Sequence, residues 1–520
     1  MTGEEDVGIN YIGIEVPPYT VTAKTIAEHM GFEEGKVTKG LMVNQFRFPG
    51  HSDNFVTLAA NNFLKFIDNA YEIPELRQKI EQYGIGAIYF ATETSREGSK
   101  PGSNLMLEIV EPVLYDLHVK NKDDGKSVFV KNVLRSLKHA DSLEMKFACT
   151  AEAKTLNLSV AAIRAGQIKS AIVIGSDIAL YDNEKAKSAE TTQGAASTLL
   201  FVTQDPLLIK MNRNVSHYNV PSNDFYKSNE HTPHVSSGVG SEINYVMNIG
   251  SALEHYEERS KLPDDFYVIS HVPFAKEPIY LSSFLLMHWL RKNSPSALLG
   301  LENELGIKEP IGGEKSALAL VRKSANKHKD ANGDGGMAEH LAADADITAL
   351  WSYHKQLREK NPKIYADFKE RIGLEYSLKL PSQVGNSYNS SMWVATASLL
   401  TYAKKKKQII FASYGSGSGT SVFSGEMLSE PGSELTRKLV DISSLQRGRE
   451  LSVGEYRQLH KSLIEVEEHE SKGNRMNMDK ELLGEKSDMN GFKLIGYDEK
   501  TREGKYAYDG NRVKATSVIQ

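Results

Sequence analysis

The chain is almost devoid of cysteine, with one, Cys149, among 520 residues. An intramolecular disulfide is excluded, and a disulfide-stapled secreted scaffold with it. No run approaches the ~20 consecutive apolar residues that a membrane-spanning helix requires. Basic charge is not in excess: the formal net charge is −5, so no global field points to nucleic acid. Residues 1–6 are acidic and precede a strand-like run, unlike a signal peptide, which predicts a cytoplasmic protein. What is present, 40% hydrophobic and 25% charged residues, suits a globular protein of a few domains or one large repeated unit.

Two segments follow one plan. Residues 144–149 lead into a helix expected over about 151–166, then a strand over 170–174 ending in Gly175-Ser176-Asp177. Residues 381–386 lead into a helix expected over about 390–404, then a strand over 408–412 ending in Ser413-Tyr414-Gly415-Ser416. Cys149 to Asp177 and Asn386 to Tyr414 are both separations of 28 positions. Each helix is small and apolar on most faces, which predicts burial. Buried helices alternating with short β-branched strands predict an α/β fold with covered sheets.

The repetition predicts two related halves, residues 1–205 and 206–425, with Cys149 and Asn386 at equivalent helix starts across a pseudo-twofold axis. A polar excursion is expected near 302–363. Residues 426–520 form a C-terminal extension with a closing hairpin, 492–497 against 505–508.

Four polar residues, Glu93, Cys149, His271 and Asn386, stand where buried strands end or helices begin, the usual place of sites in open α/β sheets. A thiol at a helix N-terminus feels the positive end of the dipole, which predicts a lowered pKa, and the exposed N–H groups there can hold an oxyanion. Glu152, in the first turn of the same helix, suits the dipole, but a carboxylate near the thiol would raise its pKa. Each residue also has a plain structural reading. Cys149 can be a small buried hydrophobe. Glu93 can neighbour an N-cap, His271 can be a satisfied core histidine, and Asn386 can be an N-cap.

Local motifs add a resemblance. Thr92-Glu93-Thr94, Phe147-Ala148-Cys149, the stretches 175–181 and 191–195, Asp224-Phe225-Tyr226-Lys227, the stretch 271–276, Gly385-Asn386-Ser387-Tyr388 and the stretch 413–417 resemble, in order, the hydroxymethylglutaryl-CoA synthase family of the thiolase superfamily. The stretch 450–456 resembles that family's C-terminal segment. The resemblance implies a thiolase-like αβαβα sandwich of two pseudo-symmetric halves and a homodimer. It implies acetyl-CoA and acetoacetyl-CoA as substrates, no metal and no cofactor beyond these thioesters, and a product entering mevalonate and isoprenoid synthesis.

By the same resemblance, Cys149 takes the acetyl group and Glu93 removes its methyl proton. His271 positions acetoacetyl-CoA and protonates the forming alkoxide, and Asn386 holds the acetoacetyl portion. Tyr181, Thr192, Phe225, Tyr226 and Tyr388 line the acyl pocket and pantetheine channel. A backbone N–H near Ser416 helps hold an oxyanion, and Lys276 meets a CoA phosphate, although a lysine on a loop can equally be only solvated. Thiolases use a second cysteine as base, and this chain has none to offer.

Two other readings of the same residues remain: a β-branching synthase acting on a carrier-protein-tethered polyketide, and a catalytically silent CoA-binding scaffold. Three signals carry little. Asp330–Gly335 opens like a calcium loop, but Leu341 occupies the position of the bidentate glutamate. The glycines of 415–419 lack the lysine of a phosphate-binding loop, and the lysines of 404–407 suit a solvated helix end.

Overall fold

The computed structural model describes the chain except residues 1–5, 96, 121, 182–188, 221, 223, 227–233, 236–237, 308–343, 472–490, 498–503, 511–512 and 516–520. Ten strands form its main sheet. In chain order they are β1 Val7–Glu15, β2 Ala87–Ala91, β3 Asp141–Met145, β4 Ser170–Ala179 and β5 Gly194–Gln204. They continue as β6 Ile209–Asn219, β7 Phe266–Ser270, β8 Gln408–Gly415, β9 Gly419–Met427 and the two-residue β10 Val440–Asp441. Across the sheet the order is β7-β8-β9-β6-β1-β5-β4-β2-β3, with β10 beside β1.

That order contains the same arrangement twice. In the first half β1 pairs antiparallel with β5, β5 antiparallel with β4, and β4 parallel with β2. In the second, β6 pairs antiparallel with β9, β9 antiparallel with β8, and β8 parallel with β7. The half-sheets meet through a short antiparallel register between β1 and β6, Gly8 with Lys210 and Ile9 with Ile209. Glycine is required there, because a Cβ on Gly8 would lie 2.0 Å from the Ile209 carbonyl oxygen.

The helices repeat as well. Phe55–Glu72 packs on β1, β4 and β5, and Gly238–Glu257 packs on the corresponding β6, β8 and β9. Asn54 and Thr57 fix the start of the first through a reciprocal capping box. The inner helices are Ala151–Arg164 and Ser391–Tyr402, the latter buried at each of its first ten positions. Some of their hydroxyls are satisfied within the helix: Thr155 donates to the Ala151 carbonyl and Thr396 to that of Met392.

Several sequence expectations need adjusting. The strand expected over 170–174 continues to Ala179, because antiparallel pairing with β5 carries it through Gly175 and Asp177. The lead-in to Asn386 is a short helix, Pro381–Val384, followed by a 3-10 turn, Tyr388–Ser390. The two lead-ins are thus not alike, since residues 141–145 form the edge strand β3. Within the excursion, Ala345–Lys360 is helical, and Asp330–Gly335 lies outside the described residues.

The C-terminal hairpin pairs Gly491–Tyr497 with Gly504–Gly510, and its first strand packs on Phe55–Glu72. Before it, the helix Val453–Ser471 completes a second small core with Tyr19, Val21, Ile26, Phe46 and Phe48, to which it contributes Tyr456 and Leu459.

Candidate active site

β2 ends at Ala91, and the next three residues are held from the neighbouring strand. Asp177 of β4 is fully buried. Its Oδ1 accepts from the Thr92 hydroxyl at 2.7 Å, the Glu93 N–H at 2.9 Å and the Thr94 N–H at 3.2 Å. Its Oδ2 accepts the Asn389 N–H at 3.2 Å and side-chain amide at 2.9 Å. Burial pushes the Asp177 carboxyl up, and these hydrogen bonds pull the other way. One carboxylate thus fixes the Glu93 backbone from the first half and the turn after Asn386 from the second.

Cys149 stands two residues before the first inner helix. The preceding Ala148 is left-handed at φ 41°, and Gly385, preceding Asn386, is left-handed at φ 81°. The kink turns the thiol toward Glu93: Cys149 Sγ donates to Glu93 Oε1 at 2.8 Å. Burial raises the thiol pKa well above its ordinary value, and the Glu93 charge and hydrogen bond raise it further. The helix-start argument pointed the other way. Desolvation and a carboxylate at hydrogen-bond distance outweigh a partial charge at a helix end.

The carboxylates that lead this rise are Glu93, Asp177 and Asp224, ahead of Glu152. The Glu152 side chain turns into the core, where it accepts from the Thr198 hydroxyl at 2.8 Å, and burial lifts its own pKa well above the usual range.

Around the thiol, Ala179, Tyr181 and Tyr388 form a buried cluster with partly buried Phe225. The Tyr181 ring meets Phe225 edge-on at 6.1 Å and Tyr388 at 6.5 Å. The Asn386 amide donates to the Tyr181 hydroxyl at 3.4 Å, and its Oδ1 accepts the Tyr388 N–H at 3.0 Å. The Asn386 N–H donates to the Thr192 carbonyl at 2.9 Å. Cys149, Tyr181, Phe225, Tyr388, Asn386 and Thr192 are therefore joined by direct contacts.

His271 follows β7, the counterpart of the strand that leads to Glu93. It is buried, with Nδ1 2.6 Å from the Ser391 hydroxyl, its N–H on the Ala412 carbonyl at 3.1 Å, and its carbonyl accepting from Tyr245 at 2.8 Å. Burial lowers its pKa to about 3, so the ring is neutral.

Ser416 lies in the β8–β9 turn, pressed onto the Cys149 kink: a Cβ on Gly419 would lie 1.9 Å from the Phe147 ring. Lys276 is placed apart, its ammonium on the Lys39 carbonyl at 3.2 Å near the surface. Tyr226 pairs with His234 in a two-residue ladder, and its side chain lies outside the described residues.

Sequence reasoning missed three supporting residues: Asp177, Asp224 and Ser391. Asp224 accepts from the Tyr414 hydroxyl and, at 2.8 Å, from the Gly417 N–H, holding the β8–β9 turn. The signal for both aspartates was a carboxylate directly before an apolar residue, Ile178 or Phe225, which burial obliges to find donors. Among the described residues no histidine, cysteine or carboxylate cluster has the makings of a metal site, and no helix is long and apolar enough to cross a membrane.

The family profile for the C-terminal part of hydroxymethylglutaryl-coenzyme A synthase matches residues 314–487. A hydroxymethylglutaryl-CoA synthase of Haloferax volcanii is 27% identical over 463 residues, covering 85% of this chain and 89% of its own. Over most of its length the chain is thus similar to hydroxymethylglutaryl-CoA synthases. Among solved structures, MvaS in complex with 3-hydroxy-3-methylglutaryl coenzyme A superimposes with a TM-score of 0.66 at 20% identity, covering 97% of this chain and all of that one. The curacin-pathway HMG synthase in complex with a donor carrier protein gives 0.66 at 17% identity, with the same coverage. At these identities the likeness establishes the fold that the family shares, a thiolase-like layered sandwich of two related halves.

Proposed function

We propose that this chain is a hydroxymethylglutaryl-CoA synthase, an acyltransferase that condenses acetyl-CoA with acetoacetyl-CoA and water, giving 3-hydroxy-3-methylglutaryl-CoA and CoA. The 2.8 Å contact between Cys149 Sγ and Glu93 Oε1 carries the reading, because it puts a nucleophile against a base inside an aromatic pocket.

Glu93 takes the thiol proton, the sulfur attacks the acetyl carbonyl, and CoA leaves as the thiol with that proton. Glu93 then removes a methyl proton from acetyl-Cys149, and the carbanion attacks the ketone carbon of acetoacetyl-CoA. A neutral His271, its Nδ1 engaged by Ser391, offers Nε2 to the ketone oxygen. A neutral imidazole is a hydrogen-bond donor and a very weak acid. The proton that ends on the alkoxide is therefore the one Glu93 took from the methyl group, a revision of the role expected for His271. Asn386 and Tyr181 hold the acyl portion. Backbone N–H groups near Cys149 and Ser416 stabilise oxyanions, and water cleaves the thioester to Cys149, leaving the product carboxylate and the free thiol. Lys276 and Tyr226 serve the CoA side of the channel.

We further propose a cytoplasmic homodimer acting in the mevalonate pathway. Among the described residues the edge strand β3 pairs only with β2, which offers a free edge to a twofold mate.

The test is CoA release from acetyl-CoA alone, acetoacetyl-CoA alone, and both, with product mass. Release that needs both and yields hydroxymethylglutaryl-CoA supports the reading. Release from acetyl-CoA alone that stops at one acetyl per chain directs attention to carrier-bound acceptors, and no release supports the silent scaffold.

A further inference from the structure

A second buried polar cluster lies behind the aromatic pocket, and the two halves of the fold do not supply it alone. Glu190, fully buried in the 3-10 turn Ala189–Thr192, accepts from the Tyr456 hydroxyl at 2.7 Å and lies 3.0 Å from His29 Nε2. The Tyr456 oxygen accepts from the Gln193 amide at 2.6 Å, and Gln193 Oε1 accepts the Tyr181 N–H at 3.4 Å. His460 Nε2 is 3.0 Å from the Tyr181 carbonyl. A carbonyl only accepts, so this nitrogen carries the proton.

Tyr456 and His460 are four residues apart on the C-terminal helix and share one face. Both are buried, with ring centroids 5.4 Å apart.

The cluster is joined to both groups that hold Asn386. Tyr181 receives the Asn386 amide through its hydroxyl, and the Thr192 carbonyl receives the Asn386 N–H. The two backbones also touch with no room to slide: a Cβ on Gly194 would lie 2.4 Å from the Val384 carbonyl, and one on Gly385 would lie 2.1 Å from that of Gln193. Packing this close passes a shift of the Glu190–Gln193 turn directly to Asn386.

We propose that Tyr456 and His460, brought by the C-terminal extension, are positioning residues for the acceptor thioester. They set Asn386 through Tyr181 and the Glu190–Gln193 turn. The inference rests on the reading of Asn386 as part of the acceptor pocket. It predicts a division of effects, because the Cys149 thiol is engaged by Glu93, whose backbone N–H is held by Asp177 and not by the C-terminal helix.

The full-length variants Tyr456→Phe and His460→Ala are compared with the parent chain. Acetylation of Cys149 by acetyl-CoA is read by intact mass, and turnover is expressed per acetylatable Cys149. The KM for acetoacetyl-CoA should rise on the order of 10-fold in both, while acetylation stays within about twofold. His460→Gln, whose amide N–H can reach the Tyr181 carbonyl, should recover most of the loss. Lys461→Ala, exposed on the same helix, should behave like the parent.

An unchanged KM, with only the acetylatable fraction reduced, would mean that the helix merely holds the fold, and the proposal fails. Should Tyr456→Phe not fold, the contrast of His460→Ala with His460→Gln decides the same point. A parent chain that acetylates but never condenses overturns the reaction itself, and acceptor positioning with it, before any variant is compared.

Discussion

At the scale of single residues, the thiol–carboxylate pair makes the sharpest predictions. Removing Glu93 deletes the base but also deletes a charge that raises the Cys149 pKa. In Glu93→Ala these effects oppose one another during acetylation, so acetyl-Cys149 should still form, within about 10-fold of the parent rate. Condensation has no such compensation and should fall by about 10²–10⁴-fold. Intact mass after acetyl-CoA and product formation with both thioesters separate the steps, and undiminished condensation would refute the assigned base. Asp177→Asn keeps the shape of the support but replaces one acceptor with donors facing the N–H groups of Glu93 and Thr94 or that of Asn389. Turnover should drop on the order of 10²-fold through misplaced Glu93, with the chain still folded. Cys149, Glu93, His271 and Asn386 could be singled out because nucleophile, base and amide stand at element ends. The sign of the thiol's shift could not, since it depends on burial and on a carboxylate 56 positions away.

At the scale of elements, the left-handed glycines divide into those under load and those in open space. Gly385 combines φ 81° with a Cβ position 2.1 Å from the Gln193 carbonyl, so Gly385→Ala meets both backbone strain and a clash with main chain. A loss of about 3 kcal/mol or more is expected. Gly31, at φ 67° with nothing within 4 Å, faces only the backbone preference. Gly31→Ala should cost about 1 kcal/mol. Urea midpoints of the two variants check the difference, and equal midpoints would contradict the close approach. Strands and inner helices were legible from apolar periodicity to within a few residues. The extension of β4 to Ala179 was not, because small and polar residues read as a turn until the pairing with β5 is known.

At the scale of the whole molecule, two buried neutral histidines act against stability in acid, while buried carboxylates with raised pKa values, Glu152 and Glu277 among them, act the other way. Burial lowers both His271 and His354 to about 3. In the unfolded chain each binds a proton near pH 6.5, so between about pH 6.5 and 3 the unfolded state holds more protons. The contribution of these two groups is therefore intact above this window and lost as pH drops through it. Each histidine contributes a slope of up to about 1.4 kcal/mol per pH unit. Replacing His354, which packs against the Phe284 ring at 5.4 Å, by phenylalanine should remove one histidine's share of the slope, so the variant gains on the parent by up to about 1.4 kcal/mol per pH unit below pH 6.5. Urea unfolding from pH 7 to pH 4 measures it, and an unchanged slope would place the acid sensitivity elsewhere.

The amino-acid order alone determined the layered α/β class, the repeated plan and the small set of reactive side chains. These follow from local periodicity, residue chemistry and recurring spacing, all of which survive in one dimension. Only the tertiary structure decided which groups touch. It turned Glu152 into the core although it follows the nucleophile closely. It made Asp177 the clamp between the two halves and brought Tyr456 and His460 from the C-terminal helix to the back of the aromatic pocket. Desolvation and hydrogen bonding act between residues hundreds of positions apart, so their signs appear only when the chain is folded.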